Sequence, residues 1–189
     1  MASSERHLRE PVTTLFSAYS RSRQKLKDLA KDAEANAQGG APAEAARDAD
    51  AVLLAVQWTR VDDVLAQAGA LSGKVLLTCS LPMSKDDSHI IIGLSTSGAE
   101  ALAVKVPGAH VVSAFSAVPS EVLSRVFDER GKRSSPDLVY CVDDEGAKKT
   151  AAHLIRDAGF NPVDLRSLSM SRYVEEGPAL AYRFERFSK

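Results

Sequence analysis

Glycine comes late in this chain. Of 11 glycines in 189 residues the first is Gly39, so the opening stretch holds no glycine-rich phosphate loop. Cysteine is scarce, and Cys79 and Cys141 sit in apolar stretches away from any metal or redox spacing. The signature of a zinc site, a redox pair or a disulfide framework is therefore missing. The longest strictly apolar run, Ala51–Val56, has six residues, far short of the roughly 20 that span a bilayer. Met1 to Arg9 contains no apolar core of a secretory signal. Nor is there an excess of one charge: Lys and Arg total 24 against 25 for Asp and Glu, a net charge of −1. That balance gives no general attraction to nucleic acid or anionic membrane. The expectation is a soluble, cytoplasmic domain whose partners are neither nucleic acid nor membrane.

What is present is globular: hydrophobic residues make up 44% and charged residues 26%. The length suits one domain. Val12 to Tyr19 is β-branched and aromatic and reads as a strand. Ser20 to Ala35 changes to helical period through Leu26, Leu29, Ala30 and Ala33. Asn36 to Pro42, with Gly39 and Gly40, reads as a helix stop and turn. Strands are expected at Asp48–Val56, Lys74–Cys79, His110–Phe115, Asp137–Val142 and Pro162–Leu165. Helices are expected at Glu44–Ala49, Thr59–Ala68, Ser97–Lys105, Ser120–Phe127, Asp144–Asp157 (capped by Asp143) and Ser171–Arg186. Ser97 with Glu100 three residues on is a capping-box pattern. Continuous apolar strands alternating with helices indicate a mainly parallel sheet covered on both faces. The fold class is α/β, a Rossmann-like doubly wound sheet.

In such a sheet, ligands bind beyond the carboxyl ends of the strands. Directly after the first expected strand comes SRSRQK, with Ser20, Arg21, Ser22, Arg23 and Lys25 opening a helix. Hydroxyls, guanidinium forks and helix amides together suit a phosphate monoester, such as the 2′-phosphate that separates NADP from NAD. The same residues equally suit a solvated basic face continued by Lys27 and Lys31. After the next long strand come Val56, Gln57 and the only tryptophan, Trp58; an aromatic there covers a ligand ring or, more commonly, packs. After Lys74–Cys79 the segment SLPMS places Leu81 and Pro82 in a loop. Nearby Asp86, Asp87 and His89 resemble a metal or acid/base group, but adjacent aspartates in a loop are more often turn formers. No nucleophile elbow is present, and neither cysteine has a neighbouring histidine. Hydride transfer between bound cofactors needs positioning more than proton-transfer residues, so the chain remains compatible with it.

Taken in order, the segments YSRSRQKL, ARDADAVLLAVQW, GKVLLTCSLPM, SGAEALAVKVPGAHVVSAFSAVPSEVL and VDDEGAKKTAAHLIRDAGFNPVDLRSLSMSRYVE resemble the NADP oxidoreductase family dependent on the deazaflavin coenzyme F420. The resemblance runs from about Thr14 to about Tyr182. It implies that Ser20, Arg21 and Lys25 hold the 2′-phosphate of NADP(H). It also implies that Val56, Gln57, Trp58, Leu81 and Ala114 flank the pyrophosphate and nicotinamide side. The partner it implies is a small redox molecule, a deazaflavin or flavin-like compound; a homodimer is a separate expectation. It further implies an NADP-binding domain over 12–136, and a smaller part over 137–189 that closes the cleft. Three departures stand out. Gln57 replaces the usual proline, and Ser116 and Ala117 replace a polar pair before Pro119. Only 19 residues precede Ser20, whereas a first strand, glycine loop and helix need roughly 25 to 30. The expectation is thus an amino-terminally truncated Rossmann-like chain, and the alternative is a non-catalytic oligomeric module that keeps the fold without the cofactor.

Overall fold

The computed structural model describes residues 38–93, 95–132 and 134–177, with Phe16, Ser17, Gln24 and Lys31 besides. The described strands are β1 (Phe16–Ser17), β2 (Gln38–Gly39), β3 (Ala51–Leu54), β4 (Val75–Thr78), β5 (His110–Ala114), β6 (Asp137–Cys141) and β7 (Asn161–Asp164). The helices are α1 (Pro42–Arg47), α2 (Val61–Ala68), α3 (Gly98–Lys105), α4 (Ser120–Glu129) and α5 (Glu145–Asp157), then α6 over residues 171–177. β3 to β7 form one sheet in the order β3-β4-β5-β6-β7, while β1 and β2 pair in parallel as a separate two-stranded sheet. The chain is an α/β, Rossmann-like fold.

The pleat sends alternate residues of each strand to opposite faces, and the two faces bury two cores. On one face Leu54, Leu76 and Val111 meet Val61, Val64 and Ala68 of α2 and Ala99 and Leu102 of α3. On the other, Val75, Leu77, Val112 and Ala114 meet Leu138 and Tyr140 of β6 and Ala147, Ala151 and Ile155 of α5. Every residue of β4 is buried, as a central strand covered on both sides requires. β3 is different. Ala51 packs on the second core, but Leu53, which shares its face, is 59% exposed. In the described sheet β3 is an edge strand.

Three local expectations need correction. Gln38–Gly39, read as part of a turn, is extended and pairs with Phe16–Ser17; the ladder overrides glycine's weak strand preference. α1 starts at Pro42, earlier than Glu44. Proline tolerates the first helical position, and the Glu44 carboxylate accepts the Ala41 amide at 2.8 Å. β6 runs antiparallel to β5, within the mainly parallel sheet that was expected. Finally, Asp144 caps α5 by accepting the Ala147 amide at 2.7 Å. Asp143, expected in that role, instead accepts the Leu168 amide at 2.9 Å and so ties the approach to α6 onto the end of β6. The helix expected over Ser171–Arg186 is described as far as residue 177.

Candidate functional site

Because β3, β4 and β5 are parallel, their carboxyl ends emerge on one side of the sheet, the side where this architecture gathers ligands. Ser80, just past β4, ties two of these ends together. Its Oγ lies 2.7 Å from the Val56 carbonyl and accepts the Val56 amide at 3.3 Å. Buried to 6% exposure, this hydroxyl satisfies backbone that has left the ladder. Val56 and Trp58 are half-buried, Gln57 is exposed, and Leu81 is half-buried. Pro82 is fully buried.

Behind them stands the amino end of α3. A Cβ built on Gly98 would lie 3.1 Å from both Glu175 Oε2 and Pro82 Cδ and 3.2 Å from Trp58 Cζ3. A side chain at this position would force those neighbours to give by a few tenths of an ångström. Ser97 caps α3 as expected, accepting the Glu100 amide at 3.1 Å. Its hydroxyl also lies 2.7 Å from Ser171 Oγ. Arg172 grips Glu100 with two bonds, Nε at 2.8 Å and Nη2 at 2.6 Å. The Glu175 carboxylate accepts the Gly98 amide at 2.7 Å and the Ala99 amide at 3.1 Å. Burial pushes the Glu175 carboxyl up to about 7, against the pull of those two amides. The Arg172 guanidinium holds Glu100 below its ordinary value.

At the end of β5 the backbone turns sharply. Ala114 is 1% exposed, with its methyl in the second core, so a ligand would meet its backbone. Phe115 adopts φ +64°, which a bulky L-residue rarely accepts without compensation. Its ring meets Phe160 edge-to-face, with centroids 6.1 Å apart. Next to it, Ser116 Oγ is buried and has no hydrogen-bond partner among the described residues. Such an orphaned hydroxyl is uncommon.

The expected residues thus divide. Val56, Gln57, Trp58, Leu81, Pro82 and Ala114 do come to the strand-end side. Ser20, Arg21, Ser22, Arg23 and Lys25 lie outside the described residues. The Asp86 loop forms a turn: Asp86 Oδ1 accepts Ser84 Oγ at 2.6 Å and Ser88 Oγ at 2.8 Å, which holds its carboxyl far below the usual range. His89 Nδ1 lies 2.9 Å from Ser88 Oγ. Sequence reading missed Ser171, Arg172 and Glu175, and placed Ser80 only as the first residue of the loop SLPMS. The 171/175 spacing does signal one helical face, but nothing in the sequence marks a buried acid. Among the described residues no three acidic, histidine or cysteine side chains cluster as a metal site, and no helix is long and apolar enough to cross a membrane.

Comparison with known proteins agrees with this architecture. The family NADP oxidoreductase, coenzyme F420-dependent, matches residues 8–82. The chain is 30% identical over 136 residues to metalloreductase STEAP3 of Rattus norvegicus; the match takes in 71% of this chain and spans about a quarter (26%) of that relative's length. A hypothetical protein of Sinorhizobium meliloti superimposes with a TM-score of 0.72 at 27% identity, over 82% of this chain and 75% of that one. A candidate F420-dependent NADP reductase of Arthrobacter sp. FB24 gives 0.67 at 22% identity, over 78% of this chain and 67% of that one, a likeness of fold. Over residues 8–82 the chain is thus similar to the NADP oxidoreductase, coenzyme F420-dependent family.

Proposed function

We propose that this chain is the NADP(H)-binding part of an oxidoreductase and transfers hydride between NADP(H) and a deazaflavin, coenzyme F420, or a flavin-like partner. The observation that carries the reading is the orphaned Ser116 hydroxyl at the carboxyl end of β5. It is a buried polar atom with capacity to spare on the side where doubly wound sheets bind nucleotides. The residues present fit a nicotinamide nucleotide. Ser20, Arg21 and Lys25, with Ser22 and Arg23, hold the 2′-phosphate; guanidinium forks bind a phosphate dianion in two-point fashion. Val56, Gln57 and Trp58, with Leu81 and Pro82, form the wall along the pyrophosphate and ribose. Ser116 and the Ala114 backbone orient the nicotinamide end, where the chain's role is positioning and exclusion of water. The hydride chemistry itself is supplied by the cofactors when bound.

Calorimetry on the full chain tests this reading. NADPH is expected to bind more tightly than NADH by at least about tenfold, or roughly 1.4 kcal/mol. The double change Arg21→Ala and Lys25→Ala is expected to bring the two to parity. Equal affinity in the unaltered chain, or no heat with either, would contradict it. The second reading, a non-catalytic oligomeric module, draws support from β3, an edge of the described sheet that carries Leu53 at 59% exposure. It predicts a dimer whose melting is indifferent to NADPH.

A further inference from the structure

Gly98, the first residue of α3, is where three separate pieces of the chain converge. A Cβ built there would lie 3.1 Å from Pro82 Cδ in the loop after β4, 3.1 Å from Glu175 Oε2 on α6 and 3.2 Å from Trp58 Cζ3 after β3. A side chain fits only if one of these gives by a few tenths of an ångström. The three differ in how far they can give. Pro82 is fully buried, its ring has no rotamers to exchange, and its carbonyl accepts the Ile91 amide at 2.8 Å. Glu175, 4% exposed, accepts the amides of Gly98 itself and of Ala99, at 2.7 and 3.1 Å. Trp58 opens the short helical turn Trp58–Arg60, so its backbone is fixed. Its side chain is half-buried, packed on the first core over part of its surface and open over the rest. The compliant neighbour is therefore the indole.

We propose that Gly98 is a positioning residue of the nucleotide site: by carrying no side chain it lets the Trp58 ring seat against the amino end of α3, and so sets where that ring stands on the strand-end side of the sheet. This role rests on the NADP(H) reading, in which Trp58 walls the pyrophosphate and ribose. A methyl group at residue 98 meets a locked proline, a carboxylate held by two amides and a ring with open space beside it. The ring moves. A wall shifted by a few tenths of an ångström either overlaps a nucleotide or leaves a gap beside it, and dispersion contacts weaken steeply over that range. Affinity falls in both cases. Gly98 touches no ligand in this arrangement and acts through Trp58 alone. A glycine kept only for helix packing behaves differently: its replacement lowers stability and leaves the nucleotide affinity of the folded chain unchanged.

Calorimetry of NADPH against four full chains separates the two: the unaltered chain, Gly98→Ala, Trp58→Leu and the double variant, each first shown to be folded by circular dichroism. Gly98→Ala is expected to weaken NADPH binding about threefold to tenfold. In the Trp58→Leu background, where no indole is left to displace, the same change is expected to alter affinity by less than about twofold. Unchanged affinity in Gly98→Ala, or an equal loss in both backgrounds, overturns the positioning role and leaves the NADP(H) reading standing. No binding of NADPH by the unaltered chain overturns that reading and the positioning role with it. Should Gly98→Ala alone fail to fold, the double variant decides. With the obstructing ring gone it is expected to fold and to bind NADPH as Trp58→Leu does. A double variant that also fails to fold overturns the role, because the obstacle to the methyl is then Pro82 or Glu175.

Discussion

Glu100 and Glu175 approach the same helix end, yet their carboxyls move in opposite directions because they meet different neighbours. Arg172 holds Glu100 down, while burial holds Glu175 up. For stability the signs are opposite too. A lowered acid contributes stability that is present above its unfolded value and is lost as pH falls through the folded one. A raised acid makes the folded state the better proton binder, so stability declines as pH rises from about 4.5 to about 7. Urea denaturation at about pH 5 and about pH 8 is expected to show this decline in the unaltered chain and a flatter profile in Glu175→Gln. Parallel profiles would remove Glu175 as its source. Ser116 is the other residue whose surroundings distinguish it. Its orphaned hydroxyl costs stability on the order of 1–3 kcal/mol unless something binds it, and it follows a residue held at φ +64°. A buried unpaired group next to a left-handed backbone is where function is worth seeking.

At the level of elements, α3 is the hub. Its cap residue Ser97 accepts the Glu100 amide and also meets Ser171. Ser97→Ala therefore removes an N-cap and a buried contact together, and is expected to cost about 1–2 kcal/mol in thermal unfolding; no measurable change would contradict the geometry. Much of this layer was legible beforehand. The apolar runs at β3, β4 and β5 and the Ser97 and Glu100 spacing are local signals, and local physics sets them. Other features depend on contacts distant in sequence. The pairing of Gln38–Gly39 with Phe16–Ser17 is one, and the antiparallel course of β6 is another. The choice of Asp144 over Asp143 depends on where the Leu168 amide arrives. The burial of Glu175 depends on α3 presenting two amides 76 and 77 residues away in sequence. No window of sequence contains both partners.

At the scale of the whole molecule, the sheet is uneven. Its middle, β4 and β5, is sealed on both faces, while β3 stands at an edge with Leu53 in solvent. The asymmetry has a measurable consequence. Leu76→Ala, at 1% exposure, is expected to cost about 2–5 kcal/mol, whereas Leu53→Ser is expected to stay within about 0.5 kcal/mol. A large loss at Leu53 in urea denaturation would mean that something covers that face. The family match over residues 8–82 and the Rossmann-like sheet agree in fold, and the choice of nucleotide is the central claim. Titration calorimetry of NADPH and NADH against the full chain tests it most directly. The account predicts that NADPH binds at least about tenfold more tightly and that Arg21→Ala with Lys25→Ala erases the difference; equal affinities in the unaltered chain would contradict it.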